Sequence, residues 1–386
     1  MNIHEYQAKE LLKRYSINVP KGFVITDAKQ IESYTFEKDK TYIAKVQIHA
    51  GARNKVGGVQ KISSKKEAIG FCQKFLGKRL TTPQTPKEGK IVSAVYIEEA
   101  LYGKKELYLS IFADKNKRCN VILASKEGGV DIGEVFRQST SNIVCIDPLL
   151  SFAQFYAKKA LCSFNFEKDQ ANKFITLLSN LFALYKDIDA ELVEINPLID
   201  TGEDFFALDA KIVIDDNALY RQDEILLYRD ILQEEPLEYQ ASQNNLNYVK
   251  LDGNIAMVVN GAGLAMACLD TIEDYGGKCA NFLDIKGSAT KESITKALEI
   301  IYQDNRVKVV FVNIIGGIVK CDIVASSLMD FCDTYNFNLP IIARLEGANK
   351  NEAIEMLSTF KNGNITLVKN LKEGIEKAIL LSRGKS

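Results

Sequence analysis

Ile255-Ala256-Met257-Val258-Val259 is an unbroken apolar run, Asn260-Gly261-Ala262-Gly263 turns the chain, and Leu264-Ala265-Met266 begins a helical pattern. Nothing in the run alternates, so both faces of the strand are destined for burial. The unit then repeats. Cys279–Leu283 leads through Lys286-Gly287-Ser288 to a helix from Thr290, and Val307–Val312 leads through Gly316-Gly317 to a helix from Ile318. Leu339–Arg344 passes through Glu346-Gly347-Ala348-Asn349 to a helix near Asn351, and Asn364–Lys369 to a last helix from Leu371. Strand, turn and helix in strict succession predict a parallel sheet covered on both sides, a doubly wound α/β domain of roughly 130 residues.

Upstream the pattern changes. Short strands, polar–apolar alternation and hairpin turns mix with helices such as Ser151–Cys162 and Asp169–Lys186, which predicts an α+β body. The polar segment Gln222–Asn247, with Glu234-Glu235-Pro236 inside it, joins the halves, so the boundary is placed near residue 245 and the domains at 1–240 and 245–386. A chain of 386 residues with 46% hydrophobic residues suits two soluble domains. Its 49 Lys plus Arg against 50 Asp plus Glu leave a net charge of −1, which disfavours nucleic acid or an anionic membrane as the main partner. No apolar stretch approaches the ~20 residues of a membrane span, and Met1–Leu12 mixes carboxylates and amines where an export signal needs an apolar core. A cytoplasmic location is expected. Eight cysteines lie scattered without a Cys-x-x-Cys pair, and His4 and His49 are the only histidines, so mechanisms needing several imidazoles from this chain are excluded.

The first half carries the chemistry-bearing residues. In Thr41–His49, read as a strand, Lys45 shares a face with Ile43, Gln47 and His49, and the strand runs into Gly51-Ala52-Arg53-Asn54-Lys55-Val56-Gly57-Gly58. Such a turn offers backbone N–H donors and mobile cations to a polyphosphate, or is an ordinary Gly- and Lys-containing hairpin turn. In Ala190–Lys211 a turn centred between Gly202 and Glu203 places Asn196 opposite Asp209, since both pairs of numbers sum to 405. An amide oxygen facing a carboxylate suits Mg²⁺, which takes few protein oxygens and keeps waters and phosphates; a solvated cross-strand pair is the plainer reading. Ile91–Ile97 leads into Glu98-Glu99 at a predicted strand exit, followed by the strand Lys105–Ile111. Jointly these are the parts of a nucleoside triphosphate site with a metal between phosphates and protein.

In the second half, Asn260-Gly261-Ala262-Gly263-Leu264-Ala265-Met266 approximates a dinucleotide fingerprint but has Met266 where the last glycine belongs, with Asp284 about 20 residues on. Asn313-Ile314-Ile315-Gly316-Gly317-Ile318-Val319-Lys320-Cys321-Asp322 places two glycines before a helix. Its free N–H groups either receive an anion or merely close a tight strand-to-helix turn.

Five stretches in order resemble the β-subunit family of succinate–CoA ligases (succinyl-CoA synthetases) over the whole length. They are Met1–Lys9, Glu191–Leu198, Asn247–Ile255, Val259–Met266 and Asn313–Asp322. The resemblance implies an N-terminal ATP-grasp domain and a C-terminal flavodoxin-like domain. It implies that Lys45, Ala52, Arg53, Asn54 and the main chain near Leu101 hold ATP or ADP, with Glu98 and Glu106 alongside, and that Asn196 and Asp209 bind one Mg²⁺ per subunit. It further implies that Asn260, Gly317, Ile318 and Val319 bind succinate or its acyl phosphate, that the helix they open faces a phosphohistidine, and that Glu194 positions that histidine for catalysis. That histidine, with most CoA contacts, belongs to an α subunit in an αβ or α2β2 assembly, since neither His4 nor His49 lies in a plausible phosphorylation loop. The implied reaction joins succinate and CoA through succinyl phosphate, as in the tricarboxylic acid cycle.

Three departures stand against the family's usual pattern. Gly51-Ala52-Arg53-Asn54-Lys55 replaces Gly-Gly-Arg-Gly-Lys, Leu208-Asp209-Ala210-Lys211 replaces Leu-Asp-Gly-Lys, and Asp284-Ile285-Lys286-Gly287-Ser288 replaces Asp-Val-Gly-Gly-Gly. Loss of glycine removes access to positive φ and close ligand approach. The alternatives are a β subunit acting on malate or citrate, a partner-binding subunit that no longer turns over, and a dinucleotide-dependent oxidoreductase.

Overall fold

The chain opens on a helix, Glu5–Arg14, that follows His4, carries Glu5 in its first turn and Lys13 and Arg14 in its last, in keeping with the helix dipole. Ala8, Leu11 and Leu12 point into a core shared with the helix Lys168–Asp187, whose apolar face holds Phe174, Leu178, Leu181 and Tyr185. The computed structural model describes residues 1–129, 141–150, 152–361 and 364–384. They form two compact units, Met1–Gln233 and Glu234–Ser386.

Among the described residues the first unit contains two larger antiparallel sheets and a two-stranded one, Arg79–Leu80 with Lys90–Ile91. Gly22–Ile25, Ala94–Glu99, Tyr42–Gln47 and Val59–Ile62 lie side by side in that order, with Ala44 and Val46 turned into a core beneath the helix Lys65–Phe75. In the larger sheet the long strand Ala190–Asp200 pairs with Lys105–Asp114 on one side and with Phe205–Ala207 and Ala210–Ile214 on the other. Cys119–Ser125 and Ser141–Ile146 complete it. The predicted helix Ser151–Cys162 is shorter, Gln154–Ala160, with Ser151 outside the described residues.

In the second unit the predicted strands appear as Ile255–Val259, Asn281–Asp284, Val309–Gly316, Ile341–Gly347 and Ile365–Leu367. Numbered along the chain, they lie in the order second, first, third, fourth, fifth and run parallel. This is the flavodoxin-like arrangement. The edge strand Asn247–Lys250, which periodicity did not reveal, pairs antiparallel with Asn281–Asp284. Separate cores lie on the two faces, one around Phe331, Leu298 and Leu345, the other around Met257, Phe311 and Ile375.

Two expectations are corrected. The boundary falls at residues 233 and 234 rather than near 245, because Leu237 and Ala241 of the helix Pro236–Gln243 bury in the second unit's core. Upstream, Gln233 is tied to the first unit by its bond to the Ile91 carbonyl (2.7 Å). The helix expected from Ile318 begins only at Cys321. The strand before it continues to pair through Gly316 with Gly347, and the Cys321 N–H donates to the Ala348 carbonyl (2.9 Å), so Gly317–Val319 form a bend between strand and helix and not the helix's first turn.

The replaced glycines behave unequally. Ala52 (φ +57°) and Lys286 (φ +63°) occupy the left-handed region, whereas Asn54, Ala210 and Ser288 do not. A side chain there costs about 1–2 kcal/mol, part of which a glycine returns as unfolded-state entropy. Ala52→Gly and Lys286→Gly are each expected to raise stability by up to about 1 kcal/mol. A thermal melt checks this, and a lower midpoint for both would contradict the strain.

Candidate functional site

The hairpin register follows the expected sum. Glu194 faces Lys211, Ile195 faces Ala210 and Leu198 faces Ala207. Between these pairs Asn196 donates its N–H to the Asp209 carbonyl at 3.2 Å, so the two candidate metal residues do stand opposite each other. The Asn196 side-chain oxygen accepts from the Gly129 N–H at 2.7 Å.

This pair forms one wall of a cavity of about 520 Å³. Lys45, Ala52, Arg53, Asn54, Glu98, Leu101, Glu106, Asn196 and Asp209 all line it, nine residues drawn from six separate segments of the first unit. Its composition is graded. Ile43, Val59, Leu101, Ile199 and Leu208 supply apolar surface, while Lys45, Arg53, Asn196 and Asp209 supply charge and oxygen donors. A ligand with a flat apolar part and an anionic tail matches that division.

Beneath the cavity lies a buried ion network. Lys45 reaches Glu5 at 2.8 Å, Glu98 at 2.7 Å and the Leu208 carbonyl at 2.6 Å. Lys9 reaches the same three partners at 3.0, 2.5 and 2.7 Å. Arg53 lies 2.8 Å from Glu5 and 3.1 Å from Asp209, and donates to the Val46 carbonyl at 3.0 Å. Burial alone would push the Glu5 carboxyl up, but Lys45, Lys9 and Arg53 prevail and hold it well below its usual value. Burial would lower the Lys45 ammonium, yet Glu5, Glu98 and Asp209 raise it. Burial and the charge of Glu5 raise the Asp209 carboxyl against the pull of Arg53. Glu5 and Lys45 therefore keep their charges through their neighbours and against burial.

Glu98 lies inside the strand Ala94–Glu99 and not at its exit, so its carboxylate is spent on Lys9 and Lys45. Glu106 is exposed on the cavity wall. Glu194, two residues before Asn196, is not among the lining residues. Burial chiefly raises its carboxyl, with Asp209 adding and Lys211 opposing. Glu5 and Lys9 escaped the sequence reading altogether. Their signal was two opposite charges one helical turn apart, on a helix whose other face is apolar.

In the second unit, the switch of strand order falls between Ile255–Val259 and Val309–Gly316, where parallel α/β sheets place their ligands. Asn260 and the Gly317 turn both sit there. The Asn260 amide is bonded twice to Ile315, accepting from its N–H and donating to its carbonyl, each at 2.9 Å. Gly317 and Ile318 are exposed, the latter by 80%, while the Val319 side chain is buried. The two glycines differ: a Cβ on Gly316 would meet the Val319 carbonyl at 2.4 Å, whereas one on Gly317 meets nothing within 4 Å. Asp284 takes the N–H groups of Gly261 (2.6 Å) and Lys286 (2.7 Å). It thereby occupies the turn that a pyrophosphate would need, contrary to the dinucleotide alternative.

Neither histidine offers a nucleophile to a ligand in the cavity. His4 is buried and bonded to Asp230 at 2.7 Å, and the His49 ring packs against it, tilted by 50°, with ring centroids 4.5 Å apart. Burial, with His4 and Lys90 adding, lowers the His49 imidazole to about 3.

The two oxygen donors at the candidate metal position suit Mg²⁺ carried by a nucleotide. They are an amide oxygen and a carboxylate, and among the described residues no group of three or more His, Cys, Asp or Glu gathers to cage a metal.

The ATP-grasp domain family matches residues 2–200 and the CoA-ligase family residues 258–379. The chain is 44% identical to a protein of Campylobacter curvus named succinate–CoA ligase [ADP-forming] subunit beta, with 100% of each chain covered. Proteins of the same name from Wolinella succinogenes and Bacillus subtilis are 45% and 41% identical, each covering 99% of this chain and themselves covered to 98% and 100%. Among solved structures, ATP citrate lyase from Methanothrix soehngenii superposes with a TM-score of 0.74 over 98% of each chain. At 19% identity that likeness is one of fold.

Proposed function

The chain belongs to the β-subunit family of ADP-forming succinate–CoA ligases, and from that premise we propose how its residues serve the nucleotide-dependent making of the carbon–sulfur bond in succinyl-CoA. The observation that carries the proposal is the single cavity lined by Lys45, Arg53, Asn196 and Asp209. Lys45, Arg53 and the backbone of Ala52 and Asn54 hold the phosphates, while Leu101, Ile43 and Ile199 receive the base. Glu106 lies at the rim. Asn196 and Asp209 hold Mg²⁺, which when bound neutralises phosphate charge and fixes the terminal phosphoryl group for in-line transfer.

The acceptor is an imidazole of an α subunit, paired as αβ or α2β2 in the cytoplasm. Glu194, its carboxyl raised by burial, positions that imidazole as it receives the phosphoryl group. At the second site Asn260 shapes the turn through Ile315, and the N–H groups of Gly317, Ile318 and Val319 hold succinate or its acyl phosphate. The open space over Gly317 lets the ligand approach the backbone closely.

The test is transfer of label. ATP labelled at the γ-phosphate, given to the purified complex, is expected to mark the α chain in the presence of Mg²⁺, and succinate with CoA to discharge it. Nucleotide binding without label on the partner would favour a subunit that no longer turns over. Gly317→Ala, which has room for its methyl group, should leave labelling intact and slow succinate-dependent discharge by up to about a hundredfold. Unchanged discharge would remove the turn from the acyl site.

A further inference from the structure

Glu5 and Lys9 come from the first helix, are almost wholly buried (5% and 1% exposed), and belong to the cavity's charge network although neither lines the cavity. The network holds three cations, Lys9, Lys45 and Arg53, against three carboxylates, Glu5, Glu98 and Asp209. Arg53 is the shared member. One amino group of its guanidinium lies 2.8 Å from Glu5 and 3.1 Å from Asp209. Asp209 is also the most open of the three carboxylates, its side chain 39% exposed against 2% for Glu5 and 3% for Glu98.

Building on the nucleotide–metal reading of this cavity, we propose that Glu5 is a positioning residue: it is the standing counter-ion of Arg53, which frees Asp209 to turn to the divalent cation. A cation that takes up the charge of Asp209 leaves Arg53 needing another anion, and the enclosed carboxylate of Glu5 meets that need without moving. Without the charge of Glu5, Arg53 has, among the described residues, Asp209 as its one remaining carboxylate within ion-pair distance. The metal then competes with a guanidinium for its own ligand. The same change leaves one surplus positive charge beneath the cavity, which favours anionic phosphates. Metal and nucleotide therefore respond in opposite directions, whereas a residue needed only for folding would weaken both.

Glu5→Gln in the full chain separates these cases by calorimetric titration of ADP, with EDTA and with Mg²⁺. The expected result is metal-free ADP affinity kept or raised severalfold, together with loss of about tenfold or more in the enhancement that Mg²⁺ confers. Glu5→Asp should recover part of that enhancement. A fall in both affinities in step with the melting temperature overturns the proposal, and so does an undiminished Mg²⁺ enhancement. If Glu5→Gln does not fold, Glu5→Gln with Lys9→Met restores charge parity and carries the same measurement, with weaker Mg²⁺ enhancement again expected. Absence of any Mg²⁺ effect in the unaltered chain would instead overturn the nucleotide–metal reading, and this proposal with it.

Discussion

Asp209→Ala is expected to abolish metal-dependent phosphorylation of the partner while leaving the first unit folded. Asp209 is partly open to the cavity, stands opposite Asn196, and makes an ion pair with Arg53. Removing it does not strand that guanidinium, which keeps Glu5 at 2.8 Å and the Val46 carbonyl at 3.0 Å. The stability cost is therefore that of a partly exposed pair, on the order of 1 kcal/mol. Catalysis should lose far more. An Mg²⁺ ion held by two protein oxygens cannot stay fixed on one, and loss of such a preorganised charge slows turnover by about 10²–10³-fold or more. The assay is γ-phosphate transfer against Mg²⁺ concentration, run beside a denaturant melt. Near-normal transfer with an unchanged metal requirement would place the metal elsewhere, and loss of the fold would make Asp209 a structural residue.

Part of this was legible in the amino-acid sequence because local rules carry it. A hairpin register is an arithmetic consequence of its turn, so the facing of Asn196 and Asp209 can be read from their numbers alone. Likewise the strand–turn–helix rhythm after Asn254 yields a parallel sheet. What stayed hidden depends on distant segments. The i, i+4 spacing of Glu5 and Lys9 puts them on one face, but nothing local says that this face meets Lys45 and Leu208. Glu98 looked like a strand-exit residue because its neighbour Glu99 is also acidic, and only the cross-strand pairing with Ile43 shows it to be interior. The late start of the helix at Cys321 was equally invisible. It follows from the close approach of Gly347, whose Cβ would lie 1.9 Å from the Gly316 carbonyl.

The network also changes what the site demands of its residues. A lysine facing a phosphate from open solvent can be removed at little structural cost, but Lys45 is not so placed. Here the same ammonium is enclosed with two carboxylates that already need it. Binding and stability are thus coupled through one atom, and substitutions in this cavity should be read by both measurements.

Lys45→Met should accordingly be the most destabilising of these changes. Its Nζ serves Glu5, Glu98 and the Leu208 carbonyl, and a methionine of similar length replaces none of those bonds. Lys9 would remain alone between Glu5 and Glu98, with Arg53 on the far oxygen of Glu5. Breaking a buried pair in this way costs about 3–5 kcal/mol, on top of the 1–3 kcal/mol of nucleotide binding expected from a lost charged hydrogen bond. The pH dependence supplies the signature. In the unaltered chain Glu5 titrates below its unfolded value, so its contribution is present above the usual carboxylate range and is lost as pH falls through and below that range. Without Lys45 that carboxyl loses the strongest of the charges that hold it down and its value rises toward the unfolded one, so less stability is gained as the pH climbs through the carboxylate range. Urea melts at about pH 3 and about pH 6 should therefore show the deficit of Lys45→Met growing toward the higher pH. Adding Glu98→Gln restores charge parity, so the double variant should regain much of the stability without regaining nucleotide affinity. A deficit that is constant with pH, or a double variant weaker than the single one, would mean that Lys45 acts through packing and not through the charge it balances.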